Sequence, residues 1–323
     1  MMTLPFREKV TKMNNVKLRV LYVTASLVFV GCNQSIESDQ DIVSPESKSD
    51  FVATKAALKS IAIPNLIQVL EAQSEEVTAR YNSRHPKETL EFFGLKPGMT
   101  VMEALPGGGW YTKILLPYLG SEGTVIGADY AADMFPLFGF FSPEQIEAKK
   151  TWVTTWTTQA ESWRQDSSAD VSAFQLGSMP LSMASSADAV VFIRALHNVA
   201  RFENEGGYLT KTLSDAFRVL KPGGLVGVVQ HKAPETMTDE WASGAAGYLK
   251  QTFVIAKMQE AGFEFVASSD INNNPKDQPG AQDTVWRLPP SLVTSREDPQ
   301  LKEAMQAVGE SNRMTLTFKK PKA

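Results

Sequence analysis

Two groups of residues in this chain have types and spacing suited to chemistry. The first is Val101–Thr112, reading VMEALPGGGWYT, where a short apolar run closes on Glu103 and opens into Pro106, Gly107, Gly108 and Gly109. Glycine has no Cβ, so such a loop lets a ligand lie against bare backbone. A helix opening just after it would aim unpaired N–H groups at the same place. A second acid, Asp129, follows the next apolar run, TVIGA. The second group is His197 and His231, two of only three histidines in the 323 residues. Imidazole is the side chain whose ordinary pKa suits proton transfer near neutral pH. Paired histidines can also hold a metal, but no tight ligand spacing accompanies them, and no metal site is expected.

The elements that must position these residues alternate. Leu95-Lys96-Pro97-Gly98 reads as a turn, Pro then Gly, feeding a strand over Thr100–Ala104. A helix over Trp110–Leu119 and a second strand over Thr124–Ala128 follow. Beyond an aromatic loop, Met134–Phe141, the pattern predicts a long helix over Glu144–Arg164, whose Trp152, Trp156 and Trp163 read as core. Strands are then expected at Asp170–Leu176, at Asp188–Ile193 (delivering Arg194, His197 and Asn198) and at Leu225–Gln230 (delivering His231), with a helix over Tyr208–Leu220 between the last two. Trp241–Gly262 reads as mostly helical and Phe263–Ala267 as a sixth strand; Arg313–Lys319 alternates and reads as a final strand, antiparallel beside the sixth. Strand–helix alternation throughout means an α/β, doubly wound sheet. In such a sheet ligands bind beyond the carboxyl ends of the strands, at the switch in strand order. Both groups of residues lie there.

A glycine loop of this kind serves several nucleotides. For NAD the pattern is G-x-G-x-x-G; starting at Gly107, the third glycine would be residue 112, which is Thr112. For S-adenosylmethionine the pattern is acid-x-G-x-G-x-G, and Glu103, Gly107 and Gly109 match it while Leu105 replaces the first glycine. An acid at the strand end suits a ligand carrying an ammonium, which NAD lacks. Glu103 to Gly109, then Asp129, Gly177-Ser178-Met179-Pro180, SADAVVFIRALHN and LKPGG stand in the order found in class I methyltransferases. Over about residues 80–318 the chain resembles that family. It is especially similar to a group of predicted methyltransferases with a PGGGWYT loop, a His-x-Ala segment (His231-Lys232-Ala233) and an Asn-Pro-x-Asp segment (Asn274 to Asp277).

The resemblance implies a Rossmann-like, seven-stranded, mostly parallel sheet with an N-terminal helical cap. It implies that Glu103 holds the methionine ammonium, that Pro106, Gly107, Gly108 and Gly109 offer backbone contact, and that Asp129 takes the ribose hydroxyls. Ser178 and Met179 would lie by adenine. His197 and His231 would share a rim facing the sulfonium, either one a general base; Tyr111, Arg194 and Asn198 are secondary candidates on the substrate side. The implied activity is S-adenosylmethionine-dependent methyl transfer to a small-molecule acceptor. The alternatives are a non-catalytic exported lipoprotein that keeps the fold as a small-ligand-binding module, to which Leu105 points, and an NAD-linked oxidoreductase.

The net charge of −4 and a pI of about 5.6 give no basic footprint for nucleic acid. The single cysteine, Cys32, excludes an internal disulfide. Lys17 and Arg19 precede an apolar run, Val20–Val30, too short to span a bilayer and ending in Phe29-Val30-Gly31-Cys32. This resembles a bacterial lipoprotein signal, and implies export to the periplasm with a lipid anchor on Cys32 as the only membrane contact. The expected organisation is a signal over 1–32, a polar tether over 33–50, a helical cap over 51–94 and the methyltransferase-like domain over 95–323. Within the cap, Arg80, Arg84 and His85 read equally well as a solvated helix end or as part of a cover for the site, and the polar excursion from Asp270 to about Ser311 reads as a lid or substrate loop.

Overall fold

The computed structural model describes residues 65–322. The expected signal, the Cys32 anchor, the tether and the first part of the cap lie outside them. Seven strands form one sheet: β1 (Thr100–Ala104), β2 (Thr124–Asp129), β3 (Asp170–Gln175), β4 (Ala187–Ile193), β5 (Leu220–His231), β6 (Glu264–Ser269) and β7 (Arg313–Lys319). Their order is β3-β2-β1-β4-β5-β7-β6. Pairings among β1 to β5 are all parallel, and β7 is antiparallel to both β5 and β6. This is a Rossmann-like, doubly wound fold. The chain winds outward from β1 through β2 to β3, then crosses to β4 on the other side of β1. The tips of β1 and β4 therefore bound the switch crevice.

The pleat sorts side chains between two apolar layers. Met102, Ala104, Ile126, Ala128, Val190 and Phe192 pack into the cluster on one face. Val101, Val125, Ala189 and Val191 pack into the other. Period-2 alternation thus puts Glu103 on the Val101 face, under the helix Thr112–Leu119, whose Ile114, Leu115 and Leu116 are fully buried there. The cap helices share that layer through Leu66, Leu70, Val77, Leu90 and Phe93. Pro86 opens the helix Pro86–Phe92 at its first position, where a missing N–H costs nothing.

Three elements differ from expectation. The long helix divides into Pro143–Lys149 and Trp152–Glu161, broken at Thr151, whose φ of −100 and ψ of 11 are not helical. Of Trp241–Gly262 only Gln251–Glu260 is helical, because Gly244 and Gly247 take φ of 103 and 87 and pack where a Cβ would collide with His197 backbone and Val285. The Lys221–Gly224 turn is absorbed into a twelve-residue β5, with a register shift between Ala187 and Ala189 on its partner. The final strand is indeed antiparallel beside β6, but it is also inserted against β5. Among the described residues no helix is long and apolar enough to cross a membrane.

Candidate active site

A cavity of about 460 Å³ opens at the crevice, within the size range of small-ligand sites. Leu105, Pro106, Gly107 and Gly108 line it from the β1 tip and Tyr130 from the β2 tip; Arg194, His197 and Asn198 line it from the β4 tip and His231 from β5. Arg80, Arg84 and Trp110 line it from the cap side, and Trp286, Pro289, Pro290 and Glu310 from the excursion.

The glycine loop is shaped from below. Gly109 has φ of 74, and a Cβ there would lie 2.2 Å from the Trp163 ring. Trp163 therefore presses the loop upward and only glycine fits. At Gly108 a Cβ would meet nothing within 4 Å, so this backbone faces open space. Leu105, at the position of the missing first glycine, has φ of 55, and its N–H donates to Ala128 O at 2.7 Å. The backbone follows the path a glycine would take, at a cost of roughly 1–2 kcal/mol for an L-residue in that region. Arg194 does the same at the β4 tip, with φ of 57 and its N–H on Val229 O at 2.6 Å. Non-glycine residues held in this region need an over-determined surrounding, and here two of them flank one cavity.

Glu103 and Asp129 lie behind the lining rather than in it. Glu103 is buried, and its Oε2 accepts from Thr112 Oγ1 at 2.6 Å. Burial raises its pKa to about 8, against the lowering effect of that hydrogen bond. Thr112, the residue that breaks the NAD pattern, is thus the partner of the acid. Burial likewise raises Asp129 to about 6, although the Tyr130 N–H and Lys149 favour its charged form. Its Oδ2 is buried with no hydrogen-bond partner. An orphaned carboxylate oxygen is costly unless a donor arrives. Ser178 is exposed and bonds Gln175 O, while Met179 is buried in the core layer under β2 and β3. Neither lines the cavity. Tyr111 does not line it either: it sits in the opposite core layer, its ring 4.7 Å from that of Trp110, and burial pushes its hydroxyl up to about 12.

The two histidines meet, with ring centroids 5.2 Å apart. Gln230 fixes the first of them. Its Nε2 donates to Gly247 O at 3.1 Å and His231 O at 3.3 Å, so Oε1 faces His197. Oε1 accepts from the His197 backbone N–H and from Nδ1, at 3.3 and 3.2 Å. The proton is then on Nδ1 and Nε2 is left as an acceptor. His231 Nδ1 lies 2.6 Å from Ser311 Oγ. Burial lowers His197 to about 4, and burial with His197 and Arg194 nearby lowers His231 well below the usual value. Both rings are neutral at pH 7, and His197 Nε2 carries a free lone pair, less basic than that of an ordinary imidazole.

Several of these residues carry no sequence signal of their own. Gln230, Ser311, Glu310 and Arg313 are ordinary polar residues at strand ends, and Trp110 reads as the start of a helix. Arg84 resolves in favour of the site: it is 3% exposed, with its guanidinium 4.5 Å over the Trp110 ring. The Asn274–Asp277 segment is a brace and does not touch the cavity. Asp277 accepts from Tyr248 at 3.0 Å, Arg287 at 2.7 Å and the Asn312 N–H at 2.9 Å, tying the excursion to the start of β7.

No family model matches the chain, and no curated protein matches it. Solved structures share its general architecture at low identity. The cyclase SpnF is 17% identical over 75% of this chain and 81% of its own, with a TM-score of 0.44. A SAM dependent methyltransferase from Aquifex aeolicus is 17% identical over 64% and 93%, with a TM-score of 0.42. Geranyl diphosphate C-methyltransferase from Streptomyces coelicolor is 14% identical over 76% and 84%, with a TM-score of 0.46. None of these likenesses carries an assignment of activity or ligand.

Proposed function

We propose that the protein is an S-adenosylmethionine-dependent methyltransferase acting on a small-molecule acceptor. The observation that carries this reading is the orphaned, buried Asp129 Oδ2 beside a glycine cradle whose Gly108 faces open space. That pair suits a ligand with a hydroxyl to donate and a body to lay on backbone. Bound there, the cofactor would supply an electrophilic methyl carbon. Asp129 would accept from ribose, the 106–109 backbone would seat the ligand, and Glu103 would take up negative charge against the ammonium, releasing its proton. Across the cavity, His197 Nε2 would accept a proton from an acceptor, the Gln230 contact favouring that tautomer. Apart from these contacts, orienting the two reactants is most of the catalysis.

The test is calorimetric titration of the protein with S-adenosylmethionine and S-adenosylhomocysteine. Micromolar binding is expected, weakened in Asp129→Ala by about 1.5–3 kcal/mol, or tenfold to a hundredfold. Failure of both ligands to bind sinks the reading. In keeping with its signal-like N-terminus, the protein is further proposed to be exported and anchored through a lipid on Cys32. Cys32→Ser should then move it from the membrane fraction to the soluble fraction; unchanged membrane attachment rules the anchor out.

A further inference from the structure

Resting on that reading, we propose that the methyl acceptor is an anion, a small molecule whose phosphate or carboxylate is held by Arg80, Arg84 and Arg194 on the β4 side of the cavity.

Charge balance makes the first case. Glu310 is the carboxylate on this side, and Arg80, Arg84 and Arg313 all turn to it, at 3.1, 3.4 and 3.1 Å. Arg194 lines the same space and pairs with no carboxylate of the described residues. One carboxylate thus serves a cluster of four guanidinium groups. Burial is the largest cause lowering the pKa of both Arg84 and Arg194, and neighbouring arginines add to it against the opposing pull of Glu310. At the mouth, Glu76 and Lys113 offset one another, and the facing His197 and His231 are neutral.

Hydrogen-bond bookkeeping makes the second. The cavity-lining side chains with buried, unpartnered polar atoms are Trp110, through Nε1, and Arg194, through Nε. Both atoms can only donate. The ligand that satisfies them must be rich in acceptors, and guanidinium forks match oxyanions in particular.

The cofactor itself makes the third. With a sulfonium, an ammonium and one carboxylate it is a net cation at neutral pH. A second cation beside it in this cavity would be repelled, whereas an anionic acceptor neutralises both the cofactor and the arginines. The cofactor's own carboxylate is the competing source of an oxyanion. Arg194, however, stands at the end of β4, across β1 from Asp129 on β2, and Arg80 and Arg84 turn to Glu310 just before β7.

The probes are inorganic phosphate and malonate, titrated into the full chain at constant ionic strength, with and without saturating S-adenosylhomocysteine. Tryptophan fluorescence, to which Trp110 and Trp286 of the cavity wall contribute, and calorimetry supply the readouts. Millimolar or tighter binding of at least one probe is expected, persisting with S-adenosylhomocysteine bound. Arg194→Gln should weaken it at least tenfold, and the half-buried Arg80→Gln at least threefold, both with S-adenosylhomocysteine affinity changed less than twofold. Equal probe affinity in the natural chain and in both variants overturns the proposal. Competition between probe and S-adenosylhomocysteine also overturns it, giving the arginines to the cofactor's carboxylate. Arginine-dependent probe binding in a chain that binds no S-adenosylhomocysteine removes the methyl-transfer reading and leaves the anion site standing.

Discussion

The two walls of the cavity have opposite character. Behind the β1 and β2 tips stand two carboxyl groups, Glu103 and Asp129, both pushed up by burial to about 8 and about 6. On the β4, β5 and cap side stand Arg84, Arg194, His197 and His231, all pushed down, with burial the largest cause. Desolvation acts alike on both walls, driving each group toward its neutral form. What differs is the charge each wall lacks. The acid wall would regain its ionised state beside a cation and the basic wall beside an anion. A ligand of one sign relieves only one of them, so this geometry suits two ligands meeting at the line between β1 and β4.

That contrast can be broken first at the acid wall's glycines. Gly109→Ala combines positive φ with a clash against Trp163 and should destabilise the protein by about 3 kcal/mol in urea unfolding. Gly108→Ala meets nothing and should stay within about 0.5 kcal/mol. Equal effects would mean that the loop is not pressed from below.

The pH dependence sharpens the contrast next, because the walls have opposite signs. Glu103 keeps its proton to about 8 when folded but loses it near its ordinary 4.5 when unfolded. The folded state then binds the extra proton, and this group's contribution to stability falls as pH rises between those values. His197 takes a proton near 6.5 when unfolded but only near 4 when folded, so its contribution rises with pH across that window. Urea titrations at several pH values should show Glu103→Gln removing the falling component and His197→Gln the rising one. Each change should be on the order of a few kcal/mol across its window. Slopes of the same sign in the two variants would contradict the assignment.

The smallest effect is expected at Leu105→Gly. Relief of the left-handed strain and loss of side-chain packing oppose one another, and S-adenosylhomocysteine affinity should stay within threefold of the natural chain. A loss of more than tenfold would mean that the isobutyl group itself holds the ligand.

The sheet was largely legible in the residue pattern, because buried parallel strands are short, β-branched and bounded by turn residues. Six of the seven strands lie within two residues of the bounds read from the sequence, and β5 begins five residues earlier, through the Lys221–Gly224 segment read as a turn. The helices that failed did so where local signals mislead: Gly244 and Gly247 are tolerable in an apolar pattern until their packing forbids a helix. The shared edge of the glycine loop, Asp129, His197 and His231 was legible, because each lies at or shortly beyond the carboxyl end of a strand. Ser178, Met179 and Tyr111 were assigned by family position, and the pleat and packing turn them elsewhere. Glu310, Ser311 and Gln230 were invisible because their part in the site depends on contacts with residues 33 to 226 positions away. Thr112 was legible only as a mismatch; its value lies in a hydroxyl reaching back nine residues.

The place of β7 between β5 and β6 has a consequence for synthesis on the ribosome. β6 pairs with β7 alone among the strands, so when residues 264–269 emerge they have nothing to zip onto until 313–319 follow. The same late segment brings Glu310, Ser311 and Arg313, the counter-charge for the cap arginines and the contact for His231. A nascent chain stopped before it would hold a five-stranded parallel core with an open glycine loop and a bare β5 edge. Such a chain would keep Glu103 and Asp129 at the β1 and β2 tips but lack the Glu310 contacts of Arg80, Arg84 and Arg313. Completion of the sheet and arrival of the counter-charge for the cap arginines are therefore one event.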